Sequence, residues 1–107
     1  AELAAIAATA VGGPARCIGD EGAVLDRVAV VTGGGASFLE EASERGIQAL
    51  VTGEGAHHSH ADAHELGVHL VLAGHYATET FGVKALSAHL AEKYDLEWVF
   101  LDHPSGL

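Results

Sequence analysis

The stretch Arg27-Val28-Ala29-Val30-Val31-Thr32-Gly33-Gly34-Gly35-Ala36-Ser37-Phe38-Leu39-Glu40-Glu41-Ala42-Ser43-Glu44-Arg45-Gly46 decides the fold. Its first part, Arg27–Thr32, is a β-branched run, the pattern of a buried strand. The glycines Gly33–Gly35 then make a loop. Ser37 opens a helix that runs to about Arg45, with Glu40 and Glu41 in its first turn, where the helix dipole favours carboxylates. Gly46 stops it. The same unit recurs downstream. Gln48–Thr52 predicts a strand, Gly53-Glu54-Gly55 a loop, and Ala56–Leu66 a helix ended by Gly67. His69–Ala73 predicts a further strand, followed by a helix from about Thr78, or from nearer His75, to Tyr94, and by a final strand at Glu97–Leu101. Upstream, Glu2–Val11 reads as an alanine-rich helix closed by Gly12-Gly13-Pro14, and Arg16–Ile18 as a short strand. Asp102-His103-Pro104-Ser105-Gly106 reads as a turn. The order β-α-β-α-β-α-β after a leading helix predicts an α/β fold: a mostly parallel sheet with helices packed on it.

The 107 residues suit one small domain, 1–107, with 49% hydrophobic residues to build its core. Five basic against fifteen acidic residues give a formal charge of −10. That balance disfavours direct nucleic-acid binding, which needs a basic footprint, and favours cations. No apolar run has the length of a membrane span, and no signal peptide opens the chain. A single cysteine, Cys17, fits a reducing compartment. The expected location is the cytoplasm, with no membrane partner.

In parallel sheets ligands gather at the carboxyl ends of the strands. Three loops are expected there: Gly33–Ser37, Thr52–His58 and Gly74–Glu79. The glycine loop, with Gly34 and Ser37, either presents N–H groups to an anion or is a turn that lets backbones approach. It completes neither a dinucleotide fingerprint nor a P-loop. Glu54 is a pocket carboxylate (second contact, substrate contact or general base) or a solvated acid. Five of the eight histidines lie between His57 and His69. His57, His60 and His64 share one helix face and read as a solvated stripe. His58 lies off that stripe and nearest the loop, and is the histidine of interest there. His69 and His89 read as structural. His75 and Glu79, at i and i+4 directly after a strand with Thr78 between them, supply half of a divalent-metal site. No residue is singled out as catalytic.

Thr52-Gly53-Glu54, then Gly74-His75-Tyr76-Ala77-Thr78-Glu79, then Phe81-Gly82-Val83-Lys84-Ala85-Leu86, then Phe100-Leu101-Asp102-His103-Pro104 resemble the carboxyl-terminal part of the NIF3-like family, also called DUF34 or the GTP cyclohydrolase 1 type 2 homologs. The resemblance runs from about Val28 to Pro104. It implies a dinuclear centre with two divalent metal ions (zinc, iron or manganese) between two related α/β halves, with His75 and Glu79 as ligands. It further implies Glu54, His58, Thr78, Gly34 and Ser37 near the pocket. The resemblance further implies a homo-oligomer, a hexameric ring when intact, acting on a small-molecule substrate. The family's amino-terminal half supplies a tandem histidine pair and an aspartate to the metals. Nothing upstream of Arg27 matches them, so the chain reads as a half-protein with the amino-terminal half absent.

The expected function is therefore half of a metal-dependent hydrolase, GTP cyclohydrolase-like when intact and inactive as this chain alone. The alternative is a non-enzymatic assembly or protein-binding module whose metal is structural or vestigial. A third reading, nucleotide binding through the glycine loop, rests on Gly33–Ser37.

Overall fold

The computed structural model describes residues 1–106. Helix α1 (Glu2–Val11) precedes the short strand β1 (Arg16–Ile18). Strand β2 (Val28–Val31) leads through a tight 3-10 turn, Gly35–Phe38, into α2 (Leu39–Glu44). Then follow β3 (Ala49–Thr52), α3 (Ser59–Leu66), β4 (His69–Leu72) and the long α4 (His75–Tyr94). The sheet order is β1-β4-β3-β2. β2, β3 and β4 are parallel, and β1 runs antiparallel to β4. The α/β fold with a mostly parallel sheet is the one that the strand–helix alternation implies.

Strand alternation divides the core. Leu50 and Leu70 face α2 and α3, packing with Leu39, Ala42, Ala63 and Val68. Val51 and Val71 face the other way, onto Ala7, Leu3 and Val11 of α1. β3 is buried at all four positions because it has a strand on each side and helices on both faces. Both crossover helices, α2 and α3, pack on the same face of the sheet. The parallel register Val31–Thr52–Leu72 brings the carboxyl ends of β2, β3 and β4 level. All three following loops therefore emerge along one edge of the sheet.

Strand ends differ from the sequence expectation by a residue, and three larger differences stand out. Residues 56–58 form a turn, Ser59 N–H donating to Ala56 O at 3.0 Å, so α3 begins at Ser59 rather than Ala56. The helix expected from Ser37 starts as the 3-10 turn, because glycines tighten its first residues. The strand expected at Glu97–Leu101 forms no ladder among the described residues. β1 already occupies the outer edge of β4. The segment instead returns along α4: Lys84 Nζ stands 4.4 Å from the Phe100 ring centre, and the Tyr76 hydroxyl donates to Asp102 Oδ1 at 2.8 Å. The outer edge of β2 is open, so it is these contacts with α4, and not the want of a free edge, that hold the segment away from the sheet.

α4 and its return segment project from the sheet. The radius of gyration is 15.4 Å, against about 13 Å for a compact chain of this length. Val83, Leu86, Leu90 and Tyr94 lie at helical spacing on one face of α4 and are all exposed. Among the described residues no helix is long and apolar enough to cross a membrane.

Truncating either inward-facing leucine, Leu50→Ala or Leu70→Ala, is expected to destabilise the chain by about 2–5 kcal/mol, read as a shift of the urea midpoint. Val99→Ala, on the exposed return segment, is the control and should change stability by less than about 0.5 kcal/mol. Equal effects at the two places would contradict this description of the core.

Candidate metal centre

The three loops are laced together by backbone groups before any functional side chain is placed. The Gly33 carbonyl accepts from Gly53 N–H at 2.9 Å and Glu54 N–H at 3.0 Å, and from the Thr52 hydroxyl at 3.1 Å. Thr52 Oγ1 in turn accepts from Gly35 N–H at 2.8 Å. Gly74 N–H donates to Gly53 O at 2.8 Å. Thr78 is buried, accepts from Gly33 N–H at 2.9 Å and donates to the His75 carbonyl at 3.0 Å. No buried side-chain polar atom among the described residues lacks a partner.

This closeness explains the glycines. A Cβ on Gly53 would stand 2.6 Å from the Gly33 and Gly74 carbonyl oxygens and from His75 Cα. All three are backbone atoms, which have no way to yield without opening the loops. Gly33 adopts φ +71°, a left-handed conformation that glycine takes without strain. With the Gly33 and Gly35 N–H groups both bonded internally, the glycine loop is a packed turn rather than an open anion cradle.

On this frame His75, the first residue of α4, is held between two carboxylates. Glu54 Oε1 lies 2.5 Å from His75 Nδ1, and Glu79 Oε1 lies 3.1 Å from Nε2. An ionised carboxylate only accepts, so Nδ1 carries a proton and donates it to Glu54. With both ring nitrogens protonated, the imidazolium bridges the two acids. Its pKa is raised above the ordinary 6.5, chiefly by the Glu54 hydrogen bond, with desolvation opposing and the Glu79 charge adding to the rise. Gly34 sits against both His75 and Glu54.

The Nε2–Oε1 separation suits two neighbouring ligands of one ion. An imidazole nitrogen and a carboxylate oxygen are donors of the kind that divalent cations take, and Glu54 holds the far side of the ring. Among the described residues no group of three or more His, Cys, Asp or Glu side chains converges on one point.

The other residues singled out from sequence fall as follows. Glu54 and Gly34 also border an open cleft of ≈ 810 Å³ that Ser37, His58 and Asp62 line further out. His58 is exposed and stands 3.9 Å from Asp62, away from His75. Ser37 is exposed. Thr78 ties α4 to the glycine loop rather than facing the cleft. His69 is anchored by an Nδ1–H bond to Gln48 O at 3.0 Å. Sequence reasoning passed over Thr52, whose hydroxyl links the first two loops; a threonine ending a fully buried strand was the available signal. It also passed over Tyr76, which accepts from His103 N–H at 2.8 Å and fastens the return segment beside the site.

A model of the Duf34/NIF3 (NGG1p interacting factor 3) family matches residues 1–105. The chain is 54% identical over 85 residues to the GTP cyclohydrolase 1 type 2 homolog of Halobacterium salinarum, covering 79% of this chain and 33% of that protein. Its fold is similar to that of protein ybgI, described as of unknown function, with a TM-score of 0.88 at 42% identity over 97% of this chain and 42% of that one. It is also similar to TTHA1606 of Thermus thermophilus, with a TM-score of 0.87 at 38% identity over 99% of this chain and 43% of that one. The chain spans about a third of the length of the curated relatives it matches.

In the metal-free chain the His75 ring should titrate above 6.5 by NMR. The stabilisation from this raised value is present in full below 6.5 and fades as pH rises through the folded-state value. Glu54→Gln should lower the His75 midpoint more than Glu79→Gln does. The reverse order would contradict the leading place given to the Glu54 bond.

Proposed function

The chain belongs to the Duf34/NIF3 family, and on that premise we propose that it forms one side of a divalent-metal centre, with His75 Nε2 and Glu79 as ligands. The observation that carries the reading is the two-sided use of one imidazole: Nδ1–H donates to Glu54, and Nε2 faces Glu79 at 3.1 Å. Metal-binding histidines commonly donate their other N–H to a carboxylate, which sets the tautomer and raises ligand basicity. The remaining ligands of a complete centre, and those of a second metal, come from outside the described residues. Imidazole with carboxylate suits zinc, iron or manganese.

When bound, such an ion polarises a substrate or activates water for hydrolysis. In this reading the chain's own residues bind and orient. Glu54 holds the His75 ring, Thr78 fixes α4 against the glycine loop, and Glu54, His58, Gly34 and Ser37 border the space for a small-molecule substrate. The relatives' name, GTP cyclohydrolase 1 type 2 homolog, supports hydrolysis by the complete protein as the activity.

Metal titration by calorimetry with zinc or manganese tests the site. The native chain should bind, and His75→Ala and Glu79→Ala should lose binding. Glu54→Gln should keep the site with affinity roughly 10–100-fold lower, the usual effect of losing a ligand's supporting partner. Affinity should rise with pH through the raised His75 value, because proton and metal compete for Nε2. Identical binding by all four proteins would defeat the assignment.

The exposed stripe Val83, Leu86, Leu90 and Tyr94 favours a second reading: α4 is an assembly surface for another copy of this chain, as in a ring-shaped oligomer, with the metal structural. Sedimentation should then give a mass above that of the monomer, and Leu86→Glu should reduce it to the monomer. A native chain that stays monomeric at high concentration would dispose of this reading.

A further inference from the structure

Helix α3 turns Ser59 and Ala63 into the core, where they are 4% and 2% exposed. The next positions around the helix, His60 and His64, are thereby placed on its outer flank, and both are exposed. Their rings are already together, with centroids 4.7 Å apart and planes inclined at 58°. Neither ring has a hydrogen-bond or ion-pair partner among the described residues. They differ in this from His58, which faces Asp62, and from His69, which is bonded to Gln48. His57 joins His60 at the rim of a recess against Arg16 and Leu72, whereas His58 and Asp62 line the cleft shared with Glu54. The pair is thus separate from the centre built on His75.

We infer that His60 and His64 form a second, surface site for a borderline divalent transition-metal ion such as nickel, copper or zinc. Two imidazoles at i and i+4 on one helix face are spaced to grip a single ion. Nitrogen donors of this softness favour copper, nickel and zinc and pass over magnesium and calcium, which demand oxygen. His64 lies in the last turn of α3, where the helix dipole is negative and a bound cation is stabilised. The overall charge of −10 raises the local cation concentration. Ordering two adjacent rings on a rigid helix, rather than on a loop, limits the entropy lost on binding.

The test uses His75→Ala/Glu79→Ala as background, so that failure of this site and failure of the His75 centre are distinguishable. Nickel titration of that protein should show a single site. Adding His60→Ala or His64→Ala should weaken it about a hundredfold, the loss expected when a second tethered donor is removed. His58→Ala should leave it unchanged, and magnesium should not bind. Alanine is the better helix former, so circular dichroism should show α3 intact. With copper, paramagnetic resonance should show coupling to two ring nitrogens, falling to one in either variant. Unchanged nickel affinity in both His60→Ala and His64→Ala would overturn the inference, as would loss on His58→Ala alone.

Discussion

The carbonyl oxygen of Gly33 is the point on which the site depends. It gathers the Gly53 and Glu54 amides and the Thr52 hydroxyl, while the amide of the same residue is bonded to Thr78 of α4. One residue therefore joins the ends of β2, β3 and the start of α4. Each bond is worth little net free energy alone, about 1 kcal/mol. Their combined effect is positional: with no slack between the loops, Glu54 and Glu79 approach one imidazole from opposite sides. The glycines are needed because a side chain at Gly53 would meet backbone on three sides.

Electrostatics follows from that placement. Two carboxylates around one ring leave a net negative charge even when His75 is protonated. The proton on Nε2 and a metal ion compete for the same position and answer the same local charge. The raised pKa of His75 follows from that charge: the two acids stabilise the protonated ring. The acid-lined cleft beside it, with Glu40, Asp62 and Glu65, extends the attraction outward.

α4 shows a different balance. Its first turn is fastened by Thr78 and Tyr76, and the rest projects with its apolar stripe uncovered. Tertiary packing is the ordinary source of a helix's stability, and this part of α4 has little of it within the described residues.

Sequence alone determined the strand–helix alternation, because apolar β-branched runs such as Val28–Val31 and glycine stops such as Gly46 and Gly67 act locally. It also placed His75 and Glu79 on one helix face, since i and i+4 spacing is a property of the helix itself. Glu54 was legible as a carboxylate at a strand end, without its partner. The tertiary structure decided what it touches, because the bond to His75 spans 21 positions and exists only when β3 and β4 are in register. It also decided that Glu97–Leu101 pairs with no strand and that Thr52 and Thr78 bind backbone. Hydrogen bonds across a sheet edge depend on which elements become neighbours, and a pattern of residues along one chain carries that only indirectly.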